Sequence, residues 1–308
     1  MDGTLDWLLE AENPSARALA LRHLAGQPAG DPEVQAAQAA IPTWGPARDI
    51  LAAQWPAGYW VAPGPGYSPR HRATVWQVIF LGALGAPRTC SVDAACDYVL
   101  EHSRVPDGRF SAGRAASQAT ASLHGSLLRA FAQLGYEDPR LHDVAEALAA
   151  TALRPQFRPL AGRERLGIFV ADATRALAGL AAVPGSQRSP AMDEAIGLTV
   201  ESLLAEDGTV LLFGPGGRGS EEWQHFGFPP AGSADLLEAA EALVEAGHGA
   251  DPRLAGALDL VRSKQDPDGR WALERVPDNT WASFGQVGQP NKWVTIRALR
   301  VLKVEESE

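Results

Sequence analysis

The chain has 308 residues, 45% of them hydrophobic, and carries a formal net charge of −10. This length fits one large domain or two ordinary ones, and the hydrophobic share is enough for a sizeable buried core. The acidic balance disfavours bulk nucleic-acid binding, and the two cysteines, Cys90 and Cys96, fit neither a zinc knuckle nor a disulfide framework.

Neither a secretory signal nor a membrane span is predicted. The opening segment MDGTLDWLLE has two acids before its last residue and no basic region, and no apolar run approaches the ~18 residues of a transmembrane helix. We therefore expect a cytoplasmic protein.

The predicted elements are almost all helices, and strand signals are nearly absent. Two come first, at residues 13–26 and 31–41. Four later segments are strongly apolar with a helical period: 72–86, 122–135, 233–247 and 291–303. Their partners are more charged and open with capping or proline signals: 137–150, 189–204 and 250–265.

A glycine recurs between the helical pairs. Gly58, Gly108, Gly208 and Gly269 each precede an irregular stretch that leads into an apolar helix. Alternating apolar and amphipathic helices indicate two layers, with the apolar helices inside. The fold prediction is all-α, an α/α toroid of about six hairpins, although periodicity alone leaves an open solenoid possible.

Two of these turns share a longer pattern, Gln-x-x-x-Gly-x-Trp, at Gln54 to Trp60 and at Gln265 to Trp271. The spacing resembles the QW motif of the squalene–hopene cyclase and terpene cyclase superfamily. The wider pattern, over residues ~50 to 304, is similar to prenyltransferase-like repeats. In that family the glutamine caps an outer helix and stacks on the tryptophan ring.

The resemblance implies a single α/α-toroid domain over residues 1–308. Residues 1–48 would supply N-terminal helices that close the ring, and residues 49–304 would form the repeat hairpins. Inner helices of such a ring start at one end, so the glycine-side loops converge there and form a mouth.

Arginines collect in three of these loops, and guanidinium groups suit phosphate geometry. The sequence therefore predicts an anion-binding mouth formed by Arg70, Arg72, Arg109, Arg114, Arg163 and Arg165. The alternative is that these arginines cap helix ends or pair with acids of other hairpins.

Aromatic residues occupy the same loops. They would line a cavity that holds an isoprenoid, and their rings would stabilise carbocations by cation–π attraction. The candidates are Trp60, Tyr67, Phe110, Trp223, Phe226 and Trp281. The alternative is that stacking and loop packing use most of these rings.

Protonation-type cyclases of the family carry Asp-x-Asp-Asp-Thr at the start of an inner helix. The segment VADAT, residues 170–174, places Asp172 at the proton-donor position, while Val170 and Ala173 replace the other two acids. An Asp among apolar neighbours has a raised pKa and could still donate a proton. The alternative is that Asp172 only caps the helix that follows.

Two histidines are further catalytic candidates. His124 shares a helical face with Leu127, Leu128 and Phe131, which points it toward the interior. His225 lies in a loop at the mouth. A core histidine with a backbone partner is the alternative for His124.

Neither a metal site nor a cofactor is predicted. Protein prenyltransferases of this fold hold zinc with Asp, Cys and His, but the closing segment 288–299 has neither His nor Cys, and the chain has no DDxxD cluster.

Two functional hypotheses follow. The chain is a terpene cyclase-like or prenyltransferase-like protein that binds an apolar ligand with an anionic, prenyl diphosphate-like head, with protonation-type cyclase activity of the isomerase or lyase kind. Alternatively, it is a non-catalytic toroid module with a degenerate active site. No nucleic-acid partner is expected, and an oligomer or a partner subunit stays open.

Overall fold

The computed structural model describes residues 2–154, 163–205, 208, 211 and 221–303, without the side chains of residues 2, 163–169 and 221. In this part of the chain the helices are α1 (Asp2–Leu8), α2 (Pro14–His23), α3 (Pro32–Ala40), α4 (Gly45–Ala52), α5 (Thr74–Ala83), α6 (Cys90–His102), α7 (Ala121–Gln133), α8 (Arg140–Ala152), α9 (Arg163–Ala181), α10 (Pro190–Leu203), α11 (Glu221–Gln224), α12 (Leu236–Glu245), α13 (Ala255–Ser263) and α14 (Lys292–Lys303).

Six of the helices in the described residues form an inner ring. Helix α5 packs on α7, α7 on α9, α9 on α12, α12 on α14, and α14 on α2. The ring closes between α2 and α5, where the Ser15 hydroxyl donates to the Leu84 carbonyl at 2.6 Å. The inner helix α5 is buried almost all round, as expected for a segment, Val75–Leu81, in which Gln77 is the one polar residue.

The remaining long helices form an outer layer, in which α3, α6, α8, α10 and α13 pack on α2, α5, α7, α9 and α12, respectively. Outer helices begin at local capping residues: the side chains of Asp31, Thr89 and Ser189 accept backbone N–H groups of α3, α6 and α10. The predicted all-α toroid is therefore confirmed.

The repeated glycines share one backbone geometry. Gly58, Gly108, Gly208 and Gly269 have φ of 89°, 86°, 81° and 79°, a region that suits glycine because it has no Cβ. Gly58, Gly108 and Gly269 each donate their N–H to the carbonyl three residues earlier. Each turn carries the chain from an outer helix toward the next inner helix.

Two tryptophans fasten their turns in the same way. The Trp60 indole donates to the Ile50 carbonyl of α4 at 2.7 Å, and its backbone N–H donates to Thr74 of α5 at 3.1 Å. Trp271 makes the same two contacts, with the Val261 carbonyl at 2.7 Å and Thr295 at 3.0 Å.

The glutamines of the pattern follow helices α4 and α13. The Gln54 amide donates to the Ser91 carbonyl at 2.9 Å. The stacking of Gln54 on Trp60, and of Gln265 on Trp271, stays a prediction.

Strand pairing within the described ranges is limited to three isolated bridges, such as Arg104 with Phe110. No described helix is both long and apolar enough to cross a membrane. The cytoplasmic location stays a prediction.

Candidate functional site

The axis of the ring carries a stripe of acids on α12 and its N-cap. Asp235, Glu238, Glu241 and Glu245 recur three or four residues apart, so they lie on one face of the helix, and the first three are buried. The sequence shows this stripe as acids at helical spacing inside one of the most apolar predicted helices, 233–247.

Arginines of the neighbouring inner helices pair with this stripe. Arg175 of α9 contacts Glu238 at 2.9 Å, and Arg129 of α7 contacts Glu245 at 2.7 Å. From α14, Arg297 contacts Glu241 at 2.6 Å, and Arg300 contacts Glu245 at 3.0 Å. A ladder of ion pairs therefore joins four inner helices across the axis.

The arginines set the charge of the ladder. Burial alone raises a carboxyl pKa, but Arg175 outweighs burial and holds the pKa of Glu238 below its ordinary value. Arg129 and Arg300 do the same for the pKa of Glu245. At Asp235, burial dominates over Arg297 and raises the pKa.

A loop enters the ring between α11 and α12, and we call residues 226–233 the plug segment. Arg297, Arg175 and Arg275 donate to the carbonyls of Gly227, Gly232 and Ser233, respectively. In the plug segment, Phe228 stacks on Trp293 at 4.9 Å between ring centroids. Pro230 borders a cavity on each side of the segment, so the plug segment divides the axis.

The cavity at the N-terminal ends of the inner helices is the mouth cavity, with a volume of about 350 Å³. Its charged and imidazole lining residues are Arg70, His71, Glu222, His225, Asp235, Glu238, Glu274, Arg275 and Asp278. Acids outnumber arginines among these residues, which is the opposite of the predicted basic mouth.

His71 is a residue of this cavity that the sequence interpretation did not select. Its ring is buried, and Nδ1 lies 2.9 Å from the Asp278 carboxylate and 3.1 Å from the Asp278 carbonyl. Because both partners only accept, Nδ1 carries the hydrogen of these contacts. Nε2 is buried without a hydrogen-bond partner in the described residues. A histidine in a loop has no helical or strand periodicity around it, so His71 becomes a candidate site residue only through its contact with Asp278 in the fold.

The predicted arginines whose side chains the structure describes do not meet at the mouth cavity. Arg70 lines it, whereas Arg72 stacks on Trp281 with its guanidinium carbon 3.7 Å from the ring centroid. Arg109 pairs with Asp107 of its own turn at 2.7 Å, as in the alternative that these arginines bind acids rather than a ligand. Arg114 is exposed on the loop before α7.

Two further arginines of this prediction, Arg163 and Arg165, have side chains outside the described residues. Their role as anion ligands stays a prediction.

The predicted aromatic ligands lie in the packing between helices. Trp60, Phe110, Trp223 and Phe226 are buried, with exposed fractions of 0% to 3%. Tyr67 packs on Trp76 with ring centroids 5.1 Å apart, and the Trp281 indole donates to the Arg72 carbonyl at 2.9 Å. None of these six side chains lines the mouth cavity.

Asp172 does not lie at the start of its helix, and the expected position was wrong. Helix α9 already begins at Arg163, because the apolar helical pattern extends well before VADAT. The Asp172 carboxylate instead accepts the backbone N–H of Ser122, in the first turn of α7, at 2.8 Å. Burial raises the pKa of Asp172, against this hydrogen bond and the charge of Arg175.

The two candidate histidines differ in environment. His124 faces the outer helix α8 rather than the axis, since its Nε2 donates to the Val144 carbonyl at 2.7 Å. Burial lowers the pKa of His124 to about 4. His225 is half-buried and lines the mouth cavity.

The described residues form no metal-binding site. Throughout the residues described, no group of three or more His, Cys, Asp or Glu side chains is placed to hold a metal ion.

No protein-family model and no curated protein matches the chain. Among solved structures, it is similar to a variant of the type II terpene cyclase MstE from Scytonema in complex with its product, merosterolic acid A. The identity is 16%, 99% of this chain and 75% of that chain are covered, and the TM-score is 0.48.

A second MstE variant was solved in complex with its substrate, geranylgeranyl dihydroxybenzoate. It is 15% identical, over 99% of this chain and 74% of that chain, at a TM-score of 0.47. A protein from Actinoplanes is 19% identical, over 97% and 90% of the two chains, at a TM-score of 0.48. The ring described above rests on the helix contacts of this chain itself.

Proposed function

We propose that the chain is an α/α-toroid binding module that holds a small polar ligand in the mouth cavity. The observation that carries this proposal is the ion-pair ladder along the axis. A hydrocarbon chain there would lie against buried charges and would have to displace the plug segment, which three arginines hold by its carbonyls.

The size and lining of the mouth cavity support a polar ligand. About 350 Å³ is at the small end of ligand pockets. The unpartnered Nε2 of His71 offers a buried hydrogen-bonding atom, and Glu222 and His225 offer further polar contacts at the rim. A polar ligand in this cavity fits the hypothesis of a non-catalytic toroid module, in which Val170 and Ala173 replace two acids of the cyclase motif.

A fragment screen by ligand-observed NMR tests this proposal with a pair of tryptophan variants. Ala231→Trp fills the mouth cavity, and Ala116→Trp adds the same ring on the exposed loop before α7. We expect fragment hits to be lost in the first variant and kept in the second. Equal hit lists in both variants would contradict the mouth as the ligand site.

A second function is terpene cyclase-like activity on an isoprenoid with an anionic head. The observation that favours it is the raised pKa of Asp172, which suits a proton donor. Arg70 at the mouth would contact the head group, and the plug segment would have to move for the chain to enter.

Incubation with farnesyl diphosphate, geranylgeranyl diphosphate and squalene, followed by mass spectrometry, separates the two functions. The binding module predicts unchanged substrates. A cyclised product that disappears in Asp172→Asn would favour the cyclase and overturn the binding module.

A further inference from the structure

A second cavity lies on the other side of the plug segment, and we call it the basal cavity. It has a volume of about 190 Å³. Its wall includes His23, Ala83, Gln133 and Glu245, the last residues of α2, α5, α7 and α12, so it opens at the C-terminal end of the ring.

Positive side chains outnumber negative ones around this cavity. Its charged lining residues are the arginines Arg22, Arg129, Arg297 and Arg300 and the glutamates Glu241 and Glu245. Each glutamate pairs with two arginines. Glu241 lies 3.6 Å from Arg300 and also pairs with Arg297, and Glu245 lies 3.0 Å from Arg300 and also pairs with Arg129. Among the lining residues two glutamates therefore face four arginines, of which Arg297 also lies 3.7 Å from Asp235.

Helix C-termini oppose this excess with partial negative charges, but several of their carbonyls are occupied. The Leu24 N–H donates to the Ala20 carbonyl of α2, and Leu134 does the same to Ala130 of α7. The Lys303 ammonium donates to the Leu24 carbonyl at 3.0 Å.

The pKa of His23 reflects its burial and the positive charge of the arginines around this cavity. Burial lowers its pKa most, and Arg300 and Arg22 lower it further, to about 4, while Glu245 opposes them. A neutral imidazole at the wall means that His23 does not supply the positive charge at neutral pH; the arginines do.

Aromatic rings form one side of the basal cavity. Phe228 and Trp293 both line it, and their planes are stacked within 4°. On another side, Gly82 and Gly85 with Ala83 leave room because they carry little or no side chain. The cavity therefore offers guanidinium donors beside a flat apolar surface.

We propose that the basal cavity binds a small one-ring aromatic anion, a carboxylate or sulfonate, with its charge on the arginines and its ring near Phe228 and Trp293. Guanidinium forks match the planar geometry of such oxyanions, and stacked rings suit an aromatic body. This site is separate from the mouth cavity and does not depend on the ligand bound there.

Benzenesulfonate is the probe, because it stays ionised over the whole titration of His23. We expect calorimetry to show binding that weakens as salt is raised, and NMR to show a higher His23 pKa in its presence, since a nearby anion stabilises the imidazolium. Benzyl alcohol has the ring without the charge, and phosphate has the charge without the ring; both should bind more weakly.

Two matched variants locate the probe. Arg22 is exposed at the basal cavity and Arg70 at the mouth cavity, so both replacements by glutamine should fold. We expect Arg22→Gln to weaken benzenesulfonate binding up to about fivefold, the effect of one exposed charge contact, and Arg70→Gln to leave it unchanged. Binding no tighter than that of benzyl alcohol or phosphate, an unmoved His23 pKa, or an effect of Arg70→Gln as large as that of Arg22→Gln would overturn the proposal.

Discussion

Arg175 and Glu238 form a two-armed ion pair at the axis of the ring, with Nε to Oε1 at 2.9 Å and Nη2 to Oε2 at 3.2 Å. The same guanidinium donates to the Ser122 hydroxyl and to the Gly232 carbonyl of the plug segment, both at 2.9 Å. One side chain therefore ties α7, α9, α12 and the plug segment together.

Breaking this pair should destabilise the protein strongly. Glu238→Gln leaves the buried Arg175 charge without its partner, and we expect a loss of about 3–5 kcal/mol in the free energy of unfolding. Denaturant unfolding measures it. The matched control is Glu201→Gln in the exposed pair with Arg253, where the loss should stay below about 1 kcal/mol. If both variants lost similar amounts of unfolding free energy, the buried ion pairs of the ladder would stabilise the protein no more than an exposed pair does.

The repeated glycine turns should not tolerate alanine. A Cβ at Gly58 would lie 2.2 Å from the Ala94 carbonyl oxygen, in a backbone with φ of 89°. Gly247 has nearly the same φ, 88°, but open space around its Cβ. We expect Gly247→Ala to cost about 1 kcal/mol, the conformational strain alone, and Gly58→Ala clearly more. Equal melting temperatures would show that the close approach to α6 relaxes without cost.

The tryptophan fastening can be tested at the last repeat. Trp271 is buried, so Trp271→Ala should destabilise by about 3–5 kcal/mol through the cavity that it leaves. Trp55 is 54% exposed and provides the control, because its truncation creates no internal cavity. If the melting temperature of Trp271→Ala lies within a degree of that of the parent, the turn does not depend on the indole side chain.

His124 should make stability fall in mild acid. Its folded pKa of about 4 is below the ordinary value of 6.5, so the unfolded chain binds the proton first as pH decreases. The neutral ring stabilises the fold above pH 6.5, and this contribution, on the order of 3 kcal/mol, is lost between pH 6.5 and 4.

The matching measurement is urea unfolding over that pH range, with His124→Gln as the control. Glutamine keeps a donor for the Val144 carbonyl but does not titrate. The parent should lose more stability than the variant as pH decreases. Parallel pH profiles would show that His124 does not couple folding to protonation.

Residues close together in the chain made the helices and turns predictable. The apolar period of 72–86 and 291–303 predicted α5 and α14, because burial on one or all faces of a helix leaves a pattern that needs no knowledge of partners. The glycine turns were visible for the same reason, since a left-handed backbone angle is a local requirement.

Charges that meet across the ring were not predictable in this way. The sequence placed arginines in loops and aromatic rings beside them, but not Asp107 against Arg109 or Trp281 against Arg72. Ion pairs and stacking depend on which helices become neighbours. The sequence alone thus determined helical hairpins joined by repeated turns, whereas their closure into a ring is seen in the contact between α2 and α5. Tertiary structure decided that α12 turns its acids toward arginines of α7, α9 and α14, so that buried charge and the plug segment, rather than an aromatic channel, occupy the axis.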